Sequence, residues 1–143
     1  HNQQFCRFML RQLSIFIENK AGSFSKITSI LARHGINIQA FCLSDASDFG
    51  ILRIVVKRSD LAIDILRNHN YPVQESEVVG VKLENESGAL NKVLTMLAYH
   101  DVRINYIYSF AASTDDGTSV VVFNSDNNRQ LSELFSTQGF NLY

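Results

Sequence analysis

The sequence predicts an α+β protein that is built from two tandem copies of a βαββαβ unit. Three observations predict this fold class. The chain has 143 residues, enough for two small domains. A segment of the first half recurs in the second half. Apolar residues alternate between strand-like and helix-like spacing, and a composition of 45% hydrophobic and 19% charged residues is typical of a folded globular chain.

The internal repeat is visible by direct comparison. Residues 13–22, Leu-Ser-Ile-Phe-Ile-Glu-Asn-Lys-Ala-Gly, resemble residues 79–88, Val-Gly-Val-Lys-Leu-Glu-Asn-Glu-Ser-Gly. The correspondence continues through the segment that follows, and residues 48–50, Asp-Phe-Gly, are matched with residues 115–117, Asp-Asp-Gly. These matches divide the chain into an N-terminal extension, a first domain and a second domain, at residues 1–10, 11–76 and 77–143.

Each copy begins with a strand, a turn and a helix. Leu13, Ile15 and Ile17 occupy every second position, which is typical of a strand with one buried face. A turn that ends in glycine follows, and apolar residues then recur at helical spacing. Ser23 is predicted to cap this helix, and Gly35 is predicted to end it.

The rest of each copy predicts two strands, a second helix and a last short strand. Antiparallel pairing of such elements gives a four-stranded sheet with both helices on one face, the ferredoxin-like arrangement. The predicted second strands are residues 36–42 and 102–108, the third strands are 51–56 and 118–123, the second helices start near Ser59 and Asp126, and the last strands include Val73 and Leu142.

Both copies resemble the ACT domain. The resemblance rests on a first strand that closes on Glu-Asn-x-x-Gly at residues 18–22 and 84–88, on the following helix, and on Gly-Ile-Asn-Ile at residues 35–38. It covers residues 11–143, and the chain is similar to small stand-alone bacterial proteins with two ACT domains. The resemblance implies that the units lie side by side in one continuous eight-stranded antiparallel sheet with the helices on one face.

The resemblance also implies a ligand, a free amino acid, at the seam where the strand-to-helix loop of one unit meets the second strand of its neighbour. The loop chemistry suits such a ligand, because glycine permits close approach, a helix N-terminus favours a carboxylate, and asparagine both donates and accepts hydrogen bonds. The predicted ligand-binding residues are Asn19, Ala21, Gly22, Ser23, Phe24, Asn37, Ile38, Asn85, Ser87, Gly88, Ala89, Leu90, Ile104 and Asn105.

A purely structural interpretation of the same residues stays open. Asn-x-x-Gly before a helix is a favourable turn, Phe24 and Leu90 also fit a hydrophobic core, and Asn37 also fits a strand-edge position. The predicted amino-acid ligand has an apolar, aromatic or imidazole side chain, since no loop residue is an obvious partner for a charged ligand side chain.

The function class that the sequence favours is a non-catalytic regulatory sensor, cytoplasmic and homodimeric. No Ser/His/Asp or Cys/His arrangement stands out, so no enzyme activity, cofactor or metal is expected, and Cys42 is the one candidate nucleophile of a rival enzymatic interpretation. A formal net charge of −1 argues against a nucleic-acid or membrane surface, although aromatic residues on the second strands leave RNA binding as a weaker rival. The main alternative is an assembly module that dimerises and binds a protein partner without a small ligand.

Overall fold

The computed structural model describes residues 9–46 and 48–143 of the chain. These residues form an α+β fold of antiparallel strands and helices, which confirms the predicted class. No helix within the described ranges is long and apolar enough to cross a membrane. The elements in chain order are β1 Leu10–Glu18, α1 Ser23–Arg33, β2 Ile38–Ala46, β3 Phe49–Val56, α2 Ser59–Asn68, β4 Val73–Leu83, α3 Ala89–Tyr99, β5 Ile104–Ser109, β6 Ser119–Ser125, α4 Asn128–Thr137 and β7 Asn141–Leu142.

The chain divides into two compact units. The N-terminal unit is Arg11–Ser76, and the C-terminal unit is Glu77–Tyr143 together with Met9 and Leu10. The sequence predicts eight strands, but the described residues form seven, because the last strand of the first copy and the first strand of the second copy are one strand, β4. Residues 73–79 contain neither glycine nor proline, so nothing in this stretch ends one strand before the next begins.

The N-terminal unit has the strand order β2–β3–β1, in which β3 pairs antiparallel with both neighbours. Alternate strand residues and the apolar faces of α1 and α2 form one buried cluster, in which Leu13, Ile15, Ile54 and Leu66 are inaccessible to solvent. Both helices therefore cover one face of this sheet.

Arg11 joins three elements of that unit through its side chain. Arg11 of β1 donates to Asp60 of α2 at 2.8 Å and to Glu75 of β4. Burial of the guanidinium lowers the pKa of Arg11, but the hydrogen bonds to Glu75 and Asp60 outweigh that effect, so the pKa lies above its ordinary value. The charge of this arginine is therefore secured by its two carboxylate partners.

The C-terminal unit has the strand order β5–β6–β4–β7. Its buried cluster joins alternate residues of β4 to α3 and α4, and the rings of Phe123 and Phe135 lie with centroids 5.2 Å apart. Met9, which the sequence assigns to the N-terminal extension, is 9% exposed and belongs to this cluster. At least this part of the extension is therefore packed within a unit.

The ends of α1 show one correct and one wrong prediction. Gly35 has a φ of 69° and its N–H donates to the carbonyl of Ala32 at 3.0 Å, so the predicted glycine stop is confirmed. Ser23, however, is the first helical residue, and Gly22 occupies the N-cap position with a φ of 86°. A left-handed glycine ends the turn here, and this leaves the serine inside the helix.

The match between the two hairpins is also wrong. Gly50 lies opposite Ile17 and Ser119 lies opposite Leu83, and since Ile17 and Leu83 are equivalent, Gly50 corresponds to Ser119 rather than to Gly117. The connection between β5 and β6 is longer than the one between β2 and β3, so the additional residues lie at the tip of the hairpin.

Asp116 organises that longer tip. Its carboxylate accepts hydrogen bonds from the backbone N–H of Thr118 at 3.0 Å, from the Thr118 hydroxyl at 2.7 Å and from the Thr114 hydroxyl. Lys82 Nζ lies 3.5 Å from its second oxygen. The hydrogen bonds from Thr114 and Thr118, aided by Lys82, hold the pKa of Asp116 well below its ordinary value.

Candidate functional site

The first glycine loop, residues 18–24, has a backbone that is held by two short-range hydrogen bonds. The Lys20 N–H donates to the Glu18 carbonyl at 3.2 Å, and the Ser23 N–H donates to the Lys20 carbonyl at 3.1 Å. The Asn19 N–H donates to the Asp48 carbonyl at 3.1 Å, which ties this loop to the hairpin between β2 and β3.

The second glycine loop, residues 84–90, repeats this backbone geometry. The Glu86 N–H donates to the Glu84 carbonyl at 2.9 Å, and the Ala89 N–H donates to the Glu86 carbonyl at 3.3 Å. Gly88 has a φ of 89°, close to the 86° of Gly22. The two loops therefore have the same backbone conformation.

Both loops lead into helices whose first turns carry no side-chain cap. Neither α1 nor α3 has a side-chain hydrogen bond at its N-cap or an acidic residue in its first turn. By contrast, Asn127 caps α4 and accepts from the Gln130 N–H at 3.1 Å. The N–H groups and the partial positive charge at the starts of α1 and α3 are thus placed to bind an anion.

The predicted site residues fall into three places. Two sets lie in the glycine loops, where Ser23, Phe24 and Ala89 are half-buried and the other loop residues are exposed: Asn19, Ala21, Gly22, Asn85, Ser87, Gly88 and Leu90. The third set belongs to the second strands: Asn37 is exposed just before β2, Ile38 and Ile104 pack against the two cores, and Asn105 donates to Asp126 at 3.0 Å.

In each unit the glycine loop lies at the opposite end of the following helix from the start of the second strand, where the predicted residues Asn37, Ile38, Ile104 and Asn105 lie. The loop precedes α1 and Asn37 follows it, and a helix of 11 residues separates its two ends by about 16 Å. The same separation applies to α3, which also has 11 residues. A site that combines the loop of one unit with the second strand of the other stays a prediction.

The sequence does not show that the position of the Phe24 ring requires a residue without a side chain at Gly50. The Phe24 ring packs against the N-terminal core, and a Cβ added to Gly50 would lie 2.4 Å from its Cζ. The ring therefore rests directly on the bare backbone of β3. Leu90, the equivalent of Phe24 in the second loop, is 45% exposed.

A cavity of about 200 Å³ lies beside the second glycine loop, wholly inside the C-terminal unit. It combines loop residues with the first turn of α3 and with the turn that precedes β7. Sequence reasoning finds only Ala89 among its lining residues, because the others become neighbours only on folding. They are Lys82, Leu83, Glu84, Glu86, Lys92, Thr118, Gln138, Gly139, Phe140 and Asn141.

Comparison with known proteins agrees with this fold. Residues 8–141 match the family model described as an ACT domain pair. The crystal structure of protein BT0572 from Bacteroides thetaiotaomicron is similar, with 37% sequence identity, a TM-score of 0.85, and coverage of 95% of this chain and 92% of that one. The ligand-free regulatory subunit of aspartate kinase from Thermus thermophilus shares the fold at 13% identity, with a TM-score of 0.62 and coverage of 91% and 93%. The chain belongs to the family of ACT domain pairs.

Proposed function

We propose that this protein is a non-catalytic regulatory sensor that binds a free amino acid through its glycine loops. The observation that carries the proposal is the pair of uncapped helix starts behind Gly22 and Gly88. A ligand carboxylate satisfies the first-turn N–H groups there, and the side chains of Asn19 and Asn85 offer both donors and acceptors to the rest of an amino acid.

Membership of the ACT domain pair family supports a regulatory role, as does the fold shared with a regulatory subunit of aspartate kinase. In our proposal, Asn37 and Ile38, or Ile104 and Asn105, complete each site from a neighbouring unit, and the functional form is a homodimer. A ligand that contacts two units favours whichever arrangement it binds better, which converts binding into a signal.

A thermal-shift screen against the twenty standard L-amino acids, each at about 1 mM, tests the proposal. A ligand with a Kd near 10 μM adds about 2.7 kcal/mol to the free energy of unfolding. At roughly 2–4 °C per kcal/mol, the melting temperature rises by roughly 5–11 °C. We expect one or a few amino acids to produce this shift.

Variants then assign the shift to a loop. Asn19→Ala or Asn85→Ala should abolish it, whereas Asn68→Ala, an exposed change at the end of α2, should leave it unchanged. If no amino acid shifts the melting temperature, the sensor proposal is wrong, and an assembly module that needs no small ligand becomes the better account.

A further inference from the structure

Strand β2 is an edge strand that exposes large apolar side chains. It pairs with β3 along one side, and no strand of the described residues pairs with its other side. Phe41 and Leu43 lie opposite Ile54 and Leu52, two residues of the N-terminal core, so they point to the face of the sheet that the helices cover. Yet Phe41 is 58% exposed and Leu43 is 53% exposed. The apolar face of this sheet therefore continues into solvent at β2, beside the outward N–H and C=O groups that an edge strand presents.

The corresponding edge strand of the C-terminal unit, β5, is less apolar. Strand pairing places Ile107 and Ser109 at the positions of Phe41 and Leu43. Ile107 packs against the C-terminal core, and Ser109 is polar. An open edge pairs with another strand, because a strand supplies backbone donors and acceptors at the matching repeat. The strand of this chain that also offers exposed apolar side chains to β2 is β2 of a second molecule.

The sequence of β2 is complementary to itself in one antiparallel register. A twofold axis at Cys42 places Cys42 opposite the same residue of the second molecule, and it places Phe41 opposite Leu43 on both sides of the axis. The same axis aligns the whole of β2 with its counterpart, because Cys42 is the central residue of the strand. Asp45 is the only charged residue of β2. In this register the two Asp45 side chains lie about 20 Å apart along the strands, so they do not repel each other strongly.

The other twofold registers leave an apolar side chain opposite a polar one. Because paired residues must share a face of the sheet, the axis can pass only through a residue of β2. An axis at Leu43 sets Phe41 opposite Asp45, and an axis at Phe41 sets Leu43 opposite Gln39. Only the axis at Cys42 sets both exposed apolar side chains opposite apolar ones.

We propose that two molecules of this protein form a twofold dimer in which β2 pairs antiparallel with β2, centred on Cys42. A twofold contact closes on itself, so association through this edge stops at two molecules, whereas pairing of β2 with β5 of another molecule would continue into filaments. The inference rests on the homodimer of the proposed function, and it gives that homodimer an interface and a register.

This pairing also selects the second strand that approaches the first glycine loop. Ile38 of one molecule lies at the far end of β2 of the other molecule, next to the hairpin that carries Asp48. The hydrogen bond from the Asn19 N–H to the Asp48 carbonyl ties the first glycine loop to that hairpin. Asn37 and Ile38 of the second molecule therefore lie at the same end of the shared sheet as this loop. Of the two pairs of residues that the proposed function allows at the first loop, the interface selects this one.

Analytical ultracentrifugation of the full chain over a series of concentrations tests the interface. We expect a monomer–dimer equilibrium with no larger species. Leu43→Lys places a charge opposite Phe41 on both sides of the axis, and it should raise the Kd of the dimer at least about tenfold. Ser109→Lys, the same substitution at the equivalent position of β5, should change that Kd less than about threefold. Circular dichroism verifies that both variants fold.

Disulfide cross-linking tests the register independently. Residues directly opposite each other on antiparallel strands have Cβ atoms about 4.5–5.5 Å apart, close to the separation in a disulfide. In a Cys6→Ser background, which removes the cysteine outside the described residues, oxidation with copper phenanthroline should link two molecules through Cys42. The control combines Cys6→Ser and Cys42→Ser with Ser44→Cys, which moves the thiol two residues along the same face. It should not form the link, because the two thiols then lie about 13 Å apart along the strands.

The outcomes separate the interface from the sensor proposal, which the thermal-shift screen tests. A protein that stays monomeric, or a dimer that Leu43→Lys does not weaken, overturns the interface, and a stabilising amino acid would then still support the sensor. Equal weakening by Ser109→Lys also overturns it, because β5 would then take part. A link through Ser44→Cys but not through Cys42 overturns the register. If the dimer forms through Cys42 and no amino acid raises the melting temperature, the interface stands and the sensor proposal is wrong.

Discussion

The contact between Phe24 and Gly50 gives a sharp test of how the first glycine loop is fixed. In a Gly50→Ser variant the new Cβ starts 2.4 Å from Phe24 Cζ and 3.3 Å from Cε1 and Cε2. Non-bonded carbon atoms prefer about 3.5–4.0 Å, so the ring or the strand must move by roughly an ångström. Overpacking of this kind costs about 1–3 kcal/mol, and we expect the free energy of unfolding to fall by that amount.

The second copy shows which change should relieve the clash. The positions equivalent to Phe24 and Gly50 are occupied by Leu90 and Ser119, a shorter side chain facing a residue that has a Cβ. Adding Phe24→Leu to Gly50→Ser should therefore cost less than the sum of the two single changes. The expected coupling is about 1–2 kcal/mol in favour of the double variant, within the range found for residues in contact.

Urea unfolding followed by circular dichroism measures all four proteins of this cycle, and unchanged m-values show that the unfolded states are comparable. Ser119→Gly is the matched control in the other copy. It should cost only the roughly 0.5–1 kcal/mol that glycine loses within a strand. Additivity within about 0.5 kcal/mol, or a neutral Gly50→Ser, would refute the argument that the ring rests on this backbone.

Two further changes test single side chains of the C-terminal unit. The side-chain amide of Asn128 accepts a hydrogen bond from the Ser125 N–H and donates one to the carbonyl of Glu77, each at 2.8 Å. Asn128→Ala should therefore lower the free energy of unfolding, measured with urea, by about 1–3 kcal/mol. A loss below about 0.5 kcal/mol would contradict the expected contribution of these hydrogen bonds. Because the folded state lowers the pKa of Asp116, its contribution to stability is present above the unfolded pKa and is lost as the pH falls through the folded value. An NMR pH titration should find its carboxyl titrating below the pH at which exposed aspartates titrate, and Asp116→Asn should remove this part of the acid sensitivity.

Local patterns in the sequence predict most of the helices and strands. The alternation at Leu13, Ile15 and Ile17 identifies β1 because the period of two follows from strand geometry alone. The glycine that ends α1 is equally local, since a left-handed residue at that position ends a helix whatever surrounds it. The start of α1 is less clear, because Gly22 and Ser23 both fit an N-cap and only the backbone conformation decides between them.

Contacts between segments that are distant in the chain could not be predicted from the sequence. The match of residues 48–50 with 115–117 rests on two similar turns, whereas strand pairing sets the true register through residues on β1 and β4. The Phe24 contact needs β3 to lie under the loop, and the 200 Å³ cavity needs α3 and the turn before β7 to meet the second loop. Such neighbours arise from packing of whole elements, and no local pattern encodes them.

The two glycine loops show why the backbone conformation of a loop is easier to predict from the sequence than the ligand that the loop binds. The backbone of each loop depends on hydrogen bonds between main-chain groups and on one glycine with positive φ, and none of these requires a particular side chain at the position of Lys20 and Glu86. Both side chains are exposed, so exchanging a cation for an anion there costs the fold little. The same exchange changes the formal charge of the loop from zero, with Glu18 and Lys20, to −2, with Glu84 and Glu86. The repeat in the sequence therefore predicts the shape that both loops share, but it does not predict that they carry the same charge.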